Sequence, residues 1–207
     1  MRYLFVIDPL DALDSDHDTS IILMKSVQEL MGEVWVCECK HLYTENGNAF
    51  CYANHIDIGG GQSDWYRKIE ESTVNCAEFD VIMMRKDPPF NMNYVFTTYI
   101  LDIAAQSGVL VVNRPSSLRN FNEKLILNHF PELTTNYLVT SDVGKLRLFI
   151  DEYKDVVVKK LTDDSSAKGG YALSVTTVDR FDSSIITRAI EELDTIDIHE
   201  AFEGNSG

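Results

Sequence analysis

Residues 84–90 read Met-Arg-Lys-Asp-Pro-Pro-Phe and stand directly behind the apolar run Val81-Ile82-Met83. Proline fixes φ near about −65° and restricts the residue before it. Asp87-Pro88-Pro89 therefore leaves its strand along few paths, and Arg85 and Lys86 are held near the strand's carboxyl end. In open parallel sheets ligands bind at that edge. A planar guanidinium makes a two-pronged contact with a carboxylate more readily than an ammonium does, so Arg85 is a candidate anion ligand. Its competing role is an ion pair to Asp87 that fixes the turn. Nothing else in the chain has the spacing of a catalytic centre. His17, His41, His55, His129 and His199 are scattered, and HExxH, GxSxG and Walker lysine motifs are absent. No residue is expected to act as a covalent catalyst or a metal ligand.

The rest of the chain narrows what such an anion can be. Its 207 residues carry 18 basic and 33 acidic side chains, a formal net charge of −15. That charge repels a phosphate backbone or an anionic lipid surface and leaves no basic stripe, so neither nucleic acid nor membrane is an expected partner. One small anion can still be held locally. No apolar run approaches the roughly 20 residues that span a bilayer, and Met1-Arg2-Tyr3 leads straight into a strand without a signal-peptide pattern. A soluble cytoplasmic protein is expected. Cys37, Cys39, Cys51 and Cys76 lack CxxC spacing and read as reduced core or near-core thiols, with Cys37 and Cys39 sharing one face of a strand.

The elements that must position Arg85 follow from the hydrophobic period, which switches repeatedly between two and 3.6. Residues 3–7 read as a buried first strand ending at Asp8-Pro9. Asp18-Thr19-Ser20 supplies N-cap chemistry for a helix with Leu23, Val27, Leu30 and Met31 on one face and Gly32 as its stop. A strand follows at 34–37. Asn46-Gly47 between 42–44 and 49–52 signals a hairpin. Gly59-Gly60-Gly61 reads as a loop without a nucleotide role. After the strand at 80–84 come a helix at 93–106 closed by Gly108, a strand at 109–112, and a capped turn into helix at 113–119. The expected fold class is α/β, with a mostly parallel sheet covered by helices on both faces. The pattern breaks around 130–135, which sets the expected domains at 1–130 and 131–207. The second domain reads strand 137–140, helix 142–153, strand 156–161, a polar loop, strand 172–178, helix 183–193 and strand 196–202.

Asp8-Pro9, Asp18-Thr19-Ser20, residues 84–90, Asn113-Arg114-Pro115 with Ser117-Leu118-Arg119, and Asn122-Glu123-Lys124-Leu125 occur in the order and spacing of the prokaryotic glutathione synthetases. The resemblance is close over residues 1 to about 161 and weaker beyond. It implies a Rossmann-like pre-ATP-grasp domain followed by an incomplete α+β lobe of an ATP-grasp domain. The activity it implies is ATP-dependent ligation of γ-glutamylcysteine and glycine through an acyl phosphate, with ATP and Mg2+ as cofactors and assembly as a homo-oligomer, family members resembling tetramers. Asp18, Thr19, Ser20, Arg85, Asn113 and Arg119 are then the substrate-binding candidates. Simple helix capping explains Asp18, Thr19 and Ser20 almost as well, and Asn113 and Arg119 either line the pocket beside Arg85 or fasten their turn to the next helix.

Lys124 and Lys159 align with the family's two lysines at the nucleotide phosphates, Gly169 and Gly170 with the end of its phosphate loop, and Glu200-Ala201-Phe202 with its adenine hinge. Two departures accompany the resemblance. The family's short Asp-Gly-x-Gly-Gly loop is replaced by the longer stretch 162–170, in which only the final glycine pair survives. The family's acidic and amide magnesium ligands, and a further arginine, follow the hinge and are not among these 207 residues. The chain is accordingly expected to be a fragment of a longer synthetase. The alternative is a truncated, non-catalytic relative that binds a small anionic peptide or nucleotide.

Overall fold

The structure, a computed structural model, describes residues 1–59, 65–87, 89–121, 125–140, 142–153, 156–159 and 174–177. The chain divides into two compact units, Met1–Asn120 and Phe121–Gly207.

The first unit is a mixed seven-stranded sheet with a helix on each face. Its parallel part runs β2 (Glu33–Cys37), β1 (Arg2–Val6), β6 (Val81–Met84), β7 (Leu110–Val112). Beyond β2 the sheet turns antiparallel. The long β4 (Asn48–Ile58) pairs along one edge with β3 (Leu42–Glu45) and β2, and along the other with β5 (Tyr66–Asn75). Side chains alternate across the parallel strands, and the two faces build two cores. Leu4 and Val6 of β1 join Trp35, Ile82, Leu101 and Ala104 on the side of α2 (Met92–Gln106). Phe5 and Ile7 join Val34, Val36, Ile21 and Met24 on the side of α1 (Thr19–Glu29). Both faces of β1 are thus shut from water, as expected for a strand with helices above and below it.

Local chemistry fixes most boundaries. The hairpin turn has Asn46 at φ 50° and Gly47 at φ 81° between paired Glu45 and Asn48, the two positive-φ positions that a type I′ turn requires. Asp18 accepts the Ser20 N–H at 2.7 Å and caps α1. Helix α1 buries Ile21 and Met24 and packs Val27 against the sheet. The face expected through Leu23, Leu30 and Met31 points outward, those residues being 36, 82 and 89 % exposed. Residues 21–24 are all apolar, so periodicity alone leaves the helix's rotation undetermined, and packing decides it.

At the end of α1, Met31 is the left-handed residue, at φ 61°. The Met31 N–H donates to the Gln28 carbonyl and the Gly32 N–H to the Val27 carbonyl, both at 2.9 Å. Gly32 is needed for close approach, because a Cβ there would lie 2.8 Å from Val27 Cγ1. Met31→Gly should therefore stabilise the protein by about 1 kcal/mol, relieving a conformation that costs an L side chain about that much. A rise of a few degrees in Tm is the expected reading.

Strand β5 was not apparent from the sequence. Six of its ten residues are exposed, including Arg67, Lys68, Glu70 and Glu71, so it shows neither an apolar run nor clean alternation. Its order comes from its ladder with β4, and its charges suit an exposed sheet edge. Cys37 ends β2, and Cys39 begins a 3-10 turn instead of continuing the strand, although both pack into the core on the α2 side.

The described parts of the second unit comprise two 3-10 turns (Ile126–His129 and Pro131–Leu133), a helix (Val143–Tyr153) and the antiparallel pair Val156–Lys159 with Ser174–Thr177. Asp142 caps that helix by accepting the Gly144 N–H at 2.8 Å. Residues 137–140, expected as a strand, form no regular element. No described strand pairs with them, and Thr140 Oγ1 instead accepts the Asp142 N–H at 3.0 Å. The helix expected at 183–193 and the strand at 196–202 lie outside the described residues.

Candidate functional site

Strands β1 and β6 are parallel neighbours with Val6 opposite Met84, so the residues that follow them leave the sheet side by side. Arg85 N–H donates to the Val6 carbonyl at 2.8 Å, which extends the pairing one step past β6. Asp8 then meets Lys86, with Nζ 2.8 Å from Oδ1. The other Asp8 oxygen accepts the Asp87 N–H at 3.1 Å. One carboxylate thus fastens the loop after β6 to the end of β1.

The Arg85 side chain turns toward the start of α1. Its Nη2 donates to Thr19 Oγ1 at 2.6 Å and its Nε to Ser20 Oγ at 3.3 Å. Among the described residues Arg85 makes no ion pair, with Asp87 or any other acid. Around it opens a cavity of about 500 Å³ lined by Asp8, His17, Asp18, Thr19, Ser20, Arg85 and Lys86, among others. A second cavity, of about 480 Å³, also has Asp8 and Lys86 in its lining, together with Cys39, Pro89, Tyr94 and Thr97. His17 also lines the first cavity. Its ring nitrogen lies 2.9 Å from Asp14 Oδ2, and that hydrogen bond raises its pKa above the ordinary histidine value.

The structure thus gathers four of the six predicted substrate ligands, Asp18, Thr19, Ser20 and Arg85. Asn113 is exposed just past β7. Arg119, in α3 (Pro115–Asn120), reaches back to α2. It pairs with Asp102 at 2.6 Å, donates to Thr98 Oγ1 at 2.9 Å, and lies over the Tyr99 ring at 4.4 Å from its centroid. Arg119→Ala should destabilise the first unit by about 1 to 2 kcal/mol, since it also strips a partner from the buried Thr98 hydroxyl. Denaturant melts of that variant and of Asp102→Asn check this; the two losses should not add.

Sequence reasoning passed over Asp8 and Lys86 as a linked pair. The available signal was the repeated Asp-Pro at the ends of two strands, residues 8–9 and 87–88, though nothing local reveals that those strands are neighbours. Lys124, Gly169, Gly170, Glu200, Ala201 and Phe202 lie outside the described residues, as does the side chain of Lys159, whose backbone ends the strand at Val156–Lys159.

Three of the four thiols are raised above the ordinary cysteine range. Hydrogen bonding to Cys37 raises the Cys51 pKa, and hydrogen bonding to Cys51 with burial raises that of Cys76. Burial likewise raises Cys39. All four cysteines are free.

Residues 1–119 match the family model for the N-terminal domain of prokaryotic glutathione synthetase, and residues 123–198 match the model for its ATP-grasp domain. The chain belongs to the prokaryotic glutathione synthetase family. It is 39 % identical over 156 residues to the glutathione synthetase of Vibrio cholerae and 35 % identical over 156 residues to that of Buchnera aphidicola from Acyrthosiphon pisum; each alignment covers 75 % of this chain and 49 % of the relative. A second Buchnera aphidicola glutathione synthetase, from Baizongia pistaciae, is 31 % identical over 194 residues, covering 92 % of this chain and 58 % of the relative. The chain spans about half the length of the curated relatives it matches. A solved ATP-grasp ligase, PsnB complexed with minimal precursor, Mg and ADP, aligns over 93 % of this chain and 60 % of its own at TM-score 0.47 and 14 % identity. That likeness is too slight to bear on fold or ligand.

Glutathione synthesis by an ATP-grasp ligase is therefore the family's setting. Among the described residues no three His, Cys, Asp or Glu side chains are grouped to hold a metal. Nor is any described helix long and apolar enough to cross a membrane.

Proposed function

We propose that this chain serves the ATP-dependent joining of γ-glutamylcysteine to glycine, with a carboxylate of the dipeptide docked on Arg85. The observation that carries this reading is the clamping of the Arg85 guanidinium by the Thr19 and Ser20 hydroxyls, beside a cavity of about 500 Å³ at the carboxyl ends of β1 and β6. A guanidinium held in place loses little freedom when a ligand binds, so more of the contact appears as affinity. The N-terminus of α1 adds its partial positive charge at the same spot, and His17 adds more when protonated. On this reading Asp18 orients the Thr19 and Ser20 segment, Asn113 faces the ligand from the end of β7, and Arg119 holds the turn that carries Asn113.

A carboxylate is a poor acyl donor. The proposed reaction moves the γ-phosphoryl of ATP onto a dipeptide carboxylate; the amine of glycine then attacks the acyl carbon, expels phosphate and loses a proton. Magnesium, when bound, would neutralise charge on the phosphates. Lys124 and Lys159 are proposed for the phosphates, Gly169 and Gly170 for their cover, and Glu200, Ala201 and Phe202 for the adenine. A cytoplasmic homo-oligomer, without nucleic-acid or membrane partners, completes the proposal. It is supported by the family and by the charge of −15.

Calorimetry with γ-glutamylcysteine, followed by a phosphate-release assay with ATP, Mg2+, the dipeptide and glycine, tests it. Saturable binding that is lost when the dipeptide's carboxylates are esterified supports the docking step. Absence of any binding heat, together with unmoved amide resonances at Thr19, Ser20 and Arg85, would overturn it. Phosphate release only from a chain extended to the relatives' full length is the expected result for a fragment; dipeptide binding without release in that longer chain as well would favour the non-catalytic alternative.

A further inference from the structure

Strand β5 carries an ordered run of charge on an open edge of the sheet. Among the described strands it pairs with β4 alone, so its other edge has no strand beside it. Residues 67–71 read Arg-Lys-Ile-Glu-Glu, and all five are exposed. Ile69, at the centre of the run, is 53 % exposed and has no opposite residue on β4, because the ladder steps between His55 and Ile56. An open edge is a template for another strand, and charged side chains commonly guard it. A guard works best with one sign, since like charges repel a copy of the strand whichever way it approaches. Here two cations precede the isoleucine and two anions follow it. The run is neutral as a whole, in a chain whose net charge is −15.

That order selects both a direction and a partner. A second copy of β5 laid antiparallel sets Arg67 and Lys68 of one copy beside Glu70 and Glu71 of the other, and the match repeats on both sides of a two-fold axis. A parallel copy stacks like charge on like. Opposite charges across neighbouring strands stabilise the pairing, and long side chains reach diagonal neighbours as well as direct ones, so the match between halves survives the step in the ladder. Arg67 already contacts Asp57 of its own chain at 2.9 Å, but its side chain is 75 % exposed and the guanidinium has further donors to offer. A peptide of a single sign fits less well, because half of the edge repels it.

We infer that this chain self-associates through β5, two copies pairing antiparallel about a two-fold axis near Ile69 so that their sheets run on as one. The pairing gives the proposed homo-oligomer a surface. It does not rest on the dipeptide reading, because no residue of β5 lines the cavity around Arg85.

The test is sedimentation velocity of the 207-residue chain over a concentration series, at low and at high salt. A reversible dimer that weakens as salt rises is expected. Glu70→Lys with Glu71→Lys makes the run cationic throughout and should raise the dimer's Kd about tenfold or more. This double variant also lowers the chain's net negative charge, which by itself would favour association, so its loss of dimer cannot come from general repulsion. Arg67→Glu with Lys68→Glu should have the same effect by making the run anionic. An equimolar mixture of the two double variants should recover a dimer, which two misfolded chains would not do; circular dichroism of each supplies the folding control. A monomer at every concentration would overturn the inference and leave the charges as a guard. So would a dimer indifferent to both reversals, or a mixture that stays monomeric, since either places assembly on another surface.

Discussion

Arg85→Ala is expected to weaken γ-glutamylcysteine binding by about 1.5 to 3 kcal/mol, roughly ten- to a hundredfold or slightly more, the range for a hydrogen bond to a charged partner. The direction follows from the geometry. Nε and Nη2 are occupied by Ser20 and Thr19, so the guanidinium is already aimed, and its removal leaves the incoming carboxylate with the helix N-terminus and Lys86 alone. Lys86 does not substitute, because its ammonium is committed to Asp8. Arg85→Lys should recover only part of the loss, since an ammonium lacks the fork that grips Thr19, Ser20 and ligand together. Folding should be little affected, because Arg85 is exposed and the exposed Thr19 hydroxyl can turn to water, so only the buried Ser20 hydroxyl loses a donor. Calorimetry on both variants, with melts as the folding control, checks this; unchanged affinity in Arg85→Ala would reassign the residue to holding the start of α1.

Leu101→Ala should cost about 2 to 5 kcal/mol of stability, the range for emptying a leucine-sized space in a packed core. Leu101 is 0 % exposed and lies in the cluster with Leu4, Val6, Ile82 and Met84, the strand ends that precede Asp8 and Arg85. A natural domain has only about 5 to 15 kcal/mol in hand, so this loss is a large share of it. Equilibrium denaturation should show a lower midpoint with little change in slope. The same cavity should loosen α2, on which Thr98 and Asp102 hold Arg119. Leu101→Met, which conserves volume, should cost less than about 1.5 kcal/mol.

Some of this protein is legible locally. Asp18 marks the start of α1, Asn46-Gly47 marks the hairpin, and the boundaries of α2 with Gly108 beyond follow from short-range patterns, because caps and turns are made by neighbours in sequence. The α/β alternation was equally readable, and with it the expectation that Arg85 lies at a strand's carboxyl end. The rotation of α1, the order of β5 and the irregular path of 137–140 were not, because each depends on a partner strand or its absence.

The site divides in the same way. The sequence by itself supplied the family, the cations behind β6 and the capping residues of α1, all of which are matters of residue type and short spacing. Only the tertiary structure brought Thr19 and Ser20 to Arg85 across 66 and 65 positions of chain and joined Asp8 to Lys86. The reason is the register of β1 against β6 and of β4 against β2: it is fixed by which side chains both cores can bury, a condition on the whole sheet that no single segment encodes.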